Sequence, residues 1–333
     1  MTASRLLMRG FAGVAASVLP PAPNDATWTR YSGNPVLSGD SGQWNAQAVD
    51  GPSVIYLPRT TQPWNGWYAG TGSSGTFMGA MDSSDGNTWT WHLTAGVDVP
   101  VLGGSHGGIT GTIYQPNVDY SDGTYFYAYY HDPNGTPADC LSVATSTDGY
   151  SWTVAAQNIL AFPSGVSQWA GAAVLKLGSA WYMLVEGAYA SIWETFAAKS
   201  TSSPTSGWTI LNGGNPLSSL QIVSGGMFGG PLLVLTSDGL IRNYYHAAPG
   251  TGTLPTNLYA ASISQADFEG GSDTWTQSAT SPILTHSGSG AETSQLADPS
   301  LVWDGSQWRM YFAAVSSQSP YTAVLEMATT GPV

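Results

Sequence analysis

Three carboxylates stand where a charge-poor chain enters or leaves aromatic, apolar runs: Asp50 in "VDGPSV", Glu186 in "LVEGAY" and Asp298 in "ADPSLVW". Charged residues are 9% of the 333, which makes acids at strand ends conspicuous. A carboxylic acid set against a carboxylate can do general acid–base chemistry, one group giving a proton while the other takes one or attacks. Burial or a like charge nearby lets one member keep its proton near neutrality. There is a plainer role as well. An Asp beside a Pro at a strand start commonly caps a turn, and Asp298 before Pro299 fits that equally.

Other polar groups end similar runs. His131 and Asp132 lie in "YYHDPNG" and His246 in "YYHAAPG". These are candidates for holding a ligand's hydroxyls, although "DPNG" also reads as a turn around Asp132. The two histidines have no ligand-like spacing, so neither a metal nor a cofactor is expected. Tyr114, Gln115 and Trp169, at or just before the start of apolar runs, complete the candidate binding set, with Trp44, Tyr189 and Trp193 as further aromatic platforms.

The elements that carry these residues repeat. "GPSVIYLPRTTQPWNGWYAG", "QPNVDYSDGTYFYAYYH", "AGAAVLKLGSAWYMLVEG", "GGPLLVLTSDGLIRNYYH" and "ADPSLVWDGSQWRMYFAA" each give an apolar strand, a polar turn and an aromatic strand. That is a hairpin pattern. A third strand follows each, as in "CLSVATSTD", and four copies add a fourth with Trp-Thr, at Trp89, Trp152, Trp208 and Trp275. Four strands recurring roughly every 60 residues are the layout of a β-propeller blade. The fifth copy lacks its Trp-Thr strand, whereas "NDATWTRY" around Trp28 has a spare one before the first hairpin. The expected fold is therefore all-β: a five-bladed propeller over residues 25–333, closed by an N-terminal strand that completes the last blade. The repeated tryptophans are expected to pack between blades.

In such a blade the second strand returns toward the face where the first began. Asp50, Gln115 and Asp298 near the first-strand starts, and His131, Asp132, Glu186 and His246 near the second-strand ends, should therefore share one face.

Composition narrows the partners. A formal charge of −13 argues against nucleic acid and anionic membranes, which need clustered Lys and Arg. No apolar run is long enough to span a bilayer. One cysteine, Cys140, rules out an internal disulfide. Residues 1–24 fit either an atypical signal peptide or an amphipathic arm that docks onto a larger assembly. An extracellular or virion-associated setting is expected.

The hairpins of the form D-P-S-L-x-W-D-G-x-x-W-x-M-Y-F, with "ATSTDGYSWT", resemble the five-bladed arabinanase and fructosidase superfamily, glycoside hydrolase families 43 and 32 and their relatives. The resemblance runs from Asp25 onward. It implies glycosidic bond hydrolysis in an axial pocket by acids at the starts of the innermost strands. Family 43 enzymes are inverting, with an Asp base, a Glu acid and an Asp that orients the acid. On this pattern Asp50 becomes the base, Glu186 the acid and Asp298 the tuning group. Asp50 stands one residue earlier than the usual Asp-Pro, and the fourth blade offers Gly230 where the pattern has its Glu. The implied partner is a polysaccharide or oligosaccharide. The alternative is a non-catalytic carbohydrate-binding propeller, a phage virion or surface-structure component anchored by its N-terminal arm.

Overall fold

A computed structural model describes residues 19–58, 61–120 and 122–333. Its strands form five four-stranded antiparallel sheets. Blade 1 runs Ala48–Tyr56, Trp64–Gly72, Gly75–Ser83 and Thr90–Trp91. Blade 2 runs Tyr114–Asp119, Phe126–Asp132, Cys140–Ser146 and Thr153–Ala156. Blade 3 has the longest strands, Val166–Leu177, Ala180–Tyr189 and Ile192–Ser203, followed by Ser206–Ile210. Blade 4 comprises Phe228–Leu235, Leu240–Ala247, Asn257–Ser264 and Thr276–Gln277. Blade 5 is Gln295–Trp303, Trp308–Gln318 and Tyr321–Thr330, and Thr29–Arg30 pairs with the last of these as a fourth strand. The first strands of the five blades touch one another in a ring around the axis.

The tryptophans of the fourth strands act between blades. Trp89 meets Tyr311 of blade 5 edge-on at 5.5 Å, Trp152 meets Trp67 of blade 1 at 6.3 Å, and Trp208 meets Tyr129 of blade 2 at 6.5 Å. Trp28 meets Tyr244 of blade 4 in the same way at 6.4 Å. In every case the partner lies on the second strand of the preceding blade. Trp275 keeps the pattern through an intermediary, Phe268, which lies 5.8 Å from it and 5.4 Å from Tyr182 of blade 3. Edge-to-face contacts of this kind contribute about 1 kcal/mol each beyond the apolar area they bury. The repeated Asp-Gly turns are structural too. Asp85 accepts from the Asn87 and Thr88 amides, and Asp148 from those of Tyr150 and Ser151.

Near the axis each first strand carries a bulge: Asp50/Ser53, Tyr114/Asn117, Trp169/Ala172, Gly229/Leu232 and Ala297/Ser300. In four blades a residue before Pro adopts a left-handed conformation there, with φ of 51° at Gly51, 45° at Gln115, 56° at Gly230 and 49° at Asp298. Side chains at Gln115 and Asp298 make that conformation costly, which marks both positions. All five bulges line one narrow cleft on the axis.

The arm expected over residues 1–24 lies outside the described residues as far as position 18. Residues 19–24 are held against the propeller: Ser237 and Trp308 donate to the carbonyls of Pro20 and Pro21 at 2.8 and 3.0 Å. Among the described residues no helix is long and apolar enough to cross a membrane.

Candidate active site

Above the ring of bulges opens a cavity of about 800 Å³. Its lining brings together Asp50, Tyr114, Gln115, His131, Glu186, His246 and Asp298, seven of the nine residues expected from the sequence, with Trp193 beside them. The short strand Tyr114–Asp119 leaves the Tyr114 ring 40% exposed at the rim, 5.2 Å from the imidazole of His131.

Two expected residues are elsewhere. Trp169 is fully buried, donates through Nε1 to the Leu160 carbonyl and packs edge-on against Phe196. Its bulge turns the ring into the blade and away from the axis, so it anchors the blade and does not reach a ligand. Asp132 is likewise buried and accepts from the Asn134 amide, Ser142 Oγ and Gln157 Nε2. Those donors hold the hairpin between the second and third strands of blade 2, the turn role that "DPNG" already allowed. Trp44, which stacks on Tyr68, and Tyr189, which packs on Phe196, also lie outside the cavity lining.

The fourth blade, which brings no acid of its own to the cavity, explains how Glu186 arrives. Glu186 comes from the second strand of blade 3, is 2% exposed, and accepts the Gly230 amide at 3.0 Å through Oε2. A Cβ at Gly229 would stand 2.3 Å from Glu186 Cδ, and one at Gly230 would stand 2.6 Å from Asp298 Oδ1. The Gly-Gly pair is thus the space into which a neighbouring blade inserts its carboxylate.

His246 joins the acids. Its Nε2 lies 4.0 Å from Glu186 Oε1 and its Nδ1 3.5 Å from Asp298 Oδ1. Nδ1 is also 3.2 Å from the Asp298 amide nitrogen. A neutral ring accepts from that amide, and a protonated ring gives its proton to the carboxylate, so His246 has a partner in either state. Burial opposes charging the ring, but hydrogen bonding and attraction from Asp298, helped by Glu186, outweigh it and raise the pKa. Burial, by contrast, raises that of Glu186, with His246 working against it and the Asp298 charge adding to it.

Asp50 is the most perturbed acid of the group. Burial and the charge of Asp298 push its pKa up to about 7, partly offset by a hydrogen bond from the Tyr321 hydroxyl. Across the cavity His131 Nε2 pairs with Asp139 Oδ1 at 2.9 Å, and Gln168 Nε2 lies 3.5 Å from both ring nitrogens. Burial lowers the His131 pKa more than Asp139 raises it. Asp139, Gln168 and Tyr321 were not among the expected residues. A signal for two of them existed: Asp139 and Tyr321 sit in hairpins joining second to third strands, at the same end of the blade as the histidines.

Glu186, His246 and Asp298 each offer one ligand atom within 4.8 Å of the others, the only such trio among the described residues. Sequence spacing hides it because the three come from blades 3, 4 and 5. Their mutual contacts and the Gly230 amide already satisfy these atoms in part, so the trio is equally complete as a proton-holding network.

No family model matches the chain, and no curated protein matches it. Solved structures do. A glycosyl hydrolase from Bacteroides ovatus is 16% identical, with 95% of this chain and 97% of that chain covered at a TM-score of 0.67. The α-L-arabinofuranosidase of Podospora anserina, solved with cellotriose, is 12% identical over 95% and 99% at 0.66. The chain has their fold. An N-acetylgalactosamine deacetylase from F. plautii, in complex with blood group B trisaccharide, shares it at 13% identity over 95% and 96%, with a TM-score of 0.63. The protein is therefore a five-bladed propeller of the kind found in glycoside hydrolases, and a deacetylase on the same frame means the reaction must be argued from the site.

Proposed function

We propose that the protein binds a glycan in the axial cavity and hydrolyses a glycosidic bond there. The observation that carries this is the convergence of Asp50, Glu186 and Asp298, from three separate blades, on one cavity wide enough for sugar residues. Neighbouring carboxylates whose environments drive their protonation apart are the usual basis of acid–base hydrolysis.

The roles differ from those implied by the family resemblance. Asp50, with burial and Asp298 holding its proton on to about pH 7, suits the acid that protonates the leaving oxygen. Asp298, beside the Nδ1 of His246, suits the carboxylate that activates water. Glu186 holds His246 from the other side of the ring and so fixes the imidazole next to Asp298. Tyr114 and Trp193 supply aromatic faces for the C–H side of a pyranose or furanose ring.

The test is sugar release from a panel of plant, bacterial-surface and host polysaccharides by wild type, Asp50→Asn, Asp298→Asn and Glu186→Gln. Losing the acid or the base should lower turnover by about 10³-fold or more, with glycan binding retained. If wild type retains a glycan without cutting any, the protein is a binding propeller and the hydrolase proposal fails.

A further inference from the structure

The seam that closes the ring is held by more than the pairing of Thr29–Arg30. Tyr31 and Val36 donate their amides to the carbonyls of Met327 and Leu325 at 2.9 and 2.8 Å, and Leu325 donates to Leu37 at 2.9 Å. Beside these bonds three ionisable side chains meet from three segments. Arg30 comes from the closing strand, Glu326 from the strand it joins, and Glu292 from the short turn Gly290–Glu292 ahead of blade 5. Glu292 and Glu326 are 3% and 7% exposed, and neither lines the axial cavity.

The charges there do not match. Arg30 gives both Nε and Nη2 to Glu292, at 2.5 and 2.8 Å from its two carboxylate oxygens. Nη2 also donates to the Thr285 carbonyl. That two-pronged grip satisfies one carboxylate and leaves Glu326 with the Asn34 side-chain amide, 3.4 Å away, and with Glu292 itself. Glu326 lies opposite Phe312 and faces blade 4, on the side where Phe312 and Ala328 pack with Leu284. Tyr31 and Tyr311 pack on the other side with Met327, and Arg309 lies over Trp64 of blade 1. His286, next to Thr285, is the remaining titratable group of the turn region, and its Nδ1 is buried without a hydrogen-bond partner.

Two buried carboxylates in contact, with one guanidinium between them, cannot both ionise without a large penalty. We propose that Glu326 keeps a proton which it donates to Glu292, and that this shared proton is a pH-sensitive latch on the closure of the ring. With the proton in place, Arg30, Glu292 and Glu326 form one chain of hydrogen bonds across the seam. When it leaves to water, the two carboxylates repel each other and the pairing of Thr29–Arg30 with Tyr321–Thr330 loosens. Burial and Glu292 hold the Glu326 carboxyl up at about 7, against the pull of Arg30 and Asn34. Burial also opposes ionising Glu292, but hydrogen bonds from Arg30 and Glu326 and the attraction of Arg30 outweigh it and lower that group. A raised acid adds stability that is complete below its ordinary 4.5 and is lost as pH rises through about 7. The latch is independent of the reaction in the cavity.

Amide hydrogen exchange from about pH 5 to about pH 8, corrected for its intrinsic base catalysis, tests this on wild type, Glu326→Gln and Glu292→Gln. In wild type the protection of the Tyr31, Val36 and Leu325 amides should fall about 10-fold over that range. Glu326→Gln replaces the shared proton with an amide that donates at every pH, and should abolish the fall. Glu292→Gln frees Arg30 to pair with an ionised Glu326, and should abolish it too. The part of the fall that these variants remove should be confined to the seam, leaving the amides of Phe126–Asp132 in blade 2 as they are in wild type. If seam protection in wild type does not fall, or falls equally in Glu326→Gln, there is no such latch. If blade 2 follows the seam, the proton stabilises the ring as a whole and its assignment to the closure is wrong. Should Glu326→Gln not fold, a fall that persists in Glu292→Gln overturns the proposal by itself, and its disappearance there supports it.

Discussion

His131 and His246 occupy the same place in their blades, the penultimate residue of the second strand, and each is 5% exposed. Their protonation is nonetheless pushed in opposite directions. The difference lies in what faces each ring. His131 meets one carboxylate, Asp139, whose side chain is 41% exposed and whose pull is weakened by water. His246 meets two, and both are far better shielded. Burial alone disfavours the imidazolium in both places. Only where two shielded acids come in from neighbouring blades is that penalty overcome. Position in a repeat thus sets where a histidine points, and the neighbouring blades set what it can do.

The contrast can be broken most forcefully through stability. His246→Leu leaves Glu186 and Asp298 together without the imidazole that lies between them and should cost about 3 kcal/mol in unfolding free energy. His131→Leu releases an acid that water can still solvate, so about 1 kcal/mol or less is expected. Chemical denaturation of both variants measures the difference, and equal losses would show that the two carboxylates do not set His246 apart. The glycine gap is the next target. Gly229→Ala drives a Cβ into Glu186 Cδ and should cost about 2 kcal/mol along with most of the activity. Gly171→Ala has its nearest Glu186 atom 3.9 Å away and should cost about 0.5 kcal/mol or less.

The smallest effect is in titration. Imidazole NMR should place His246 above 6.5 and His131 below it, and Asp298→Asn should bring His246 down. The signs for stability then oppose each other. The raised His246 adds stability that is complete below 6.5 and is lost as pH rises through its folded value. The lowered His131 adds stability that is complete above 6.5 and is lost as pH falls through its own. Activity should decline above a pH of about 7 as the proton leaves Asp50, and carboxyl NMR should show the Asp50 titration brought down in Asp298→Asn by removal of the like charge.

The five-fold repetition was legible because each blade buries aromatic residues at fixed offsets, a pattern that survives without close sequence relatives. So was the shared face: strand direction alone puts Glu186 and His246 on the side of Asp50. Rotation about a strand was not legible. Trp169 and Asp132 sit at the right strand ends, yet a bulge and a tight hairpin turn them inward. Asp139 and Tyr321 enter from hairpins whose conformation no periodicity encodes. The empty fourth-blade position looked like a missing acid from its own strand, and only the packing shows Glu186 of the preceding blade lying against Gly229 and Gly230.

The pairing of Thr29–Arg30 with Tyr321–Thr330 bears on how the molecule is made. Thr27 Oγ1 lies 2.6 Å from Thr330 Oγ1, and Arg30 is bridged to Glu292, contacts that join the two ends of the chain order. On a ribosome Thr29–Arg30 therefore waits, exposed, until Tyr321–Thr330 has been synthesised. The four intervening blades can each fold from local hairpins, and the last step is a search by two distant segments for each other, slow by the usual dependence of rate on sequence separation. Until that step is complete, an Asp-rich cavity already stands on an unfinished scaffold, with Trp28 not yet seated on Tyr244.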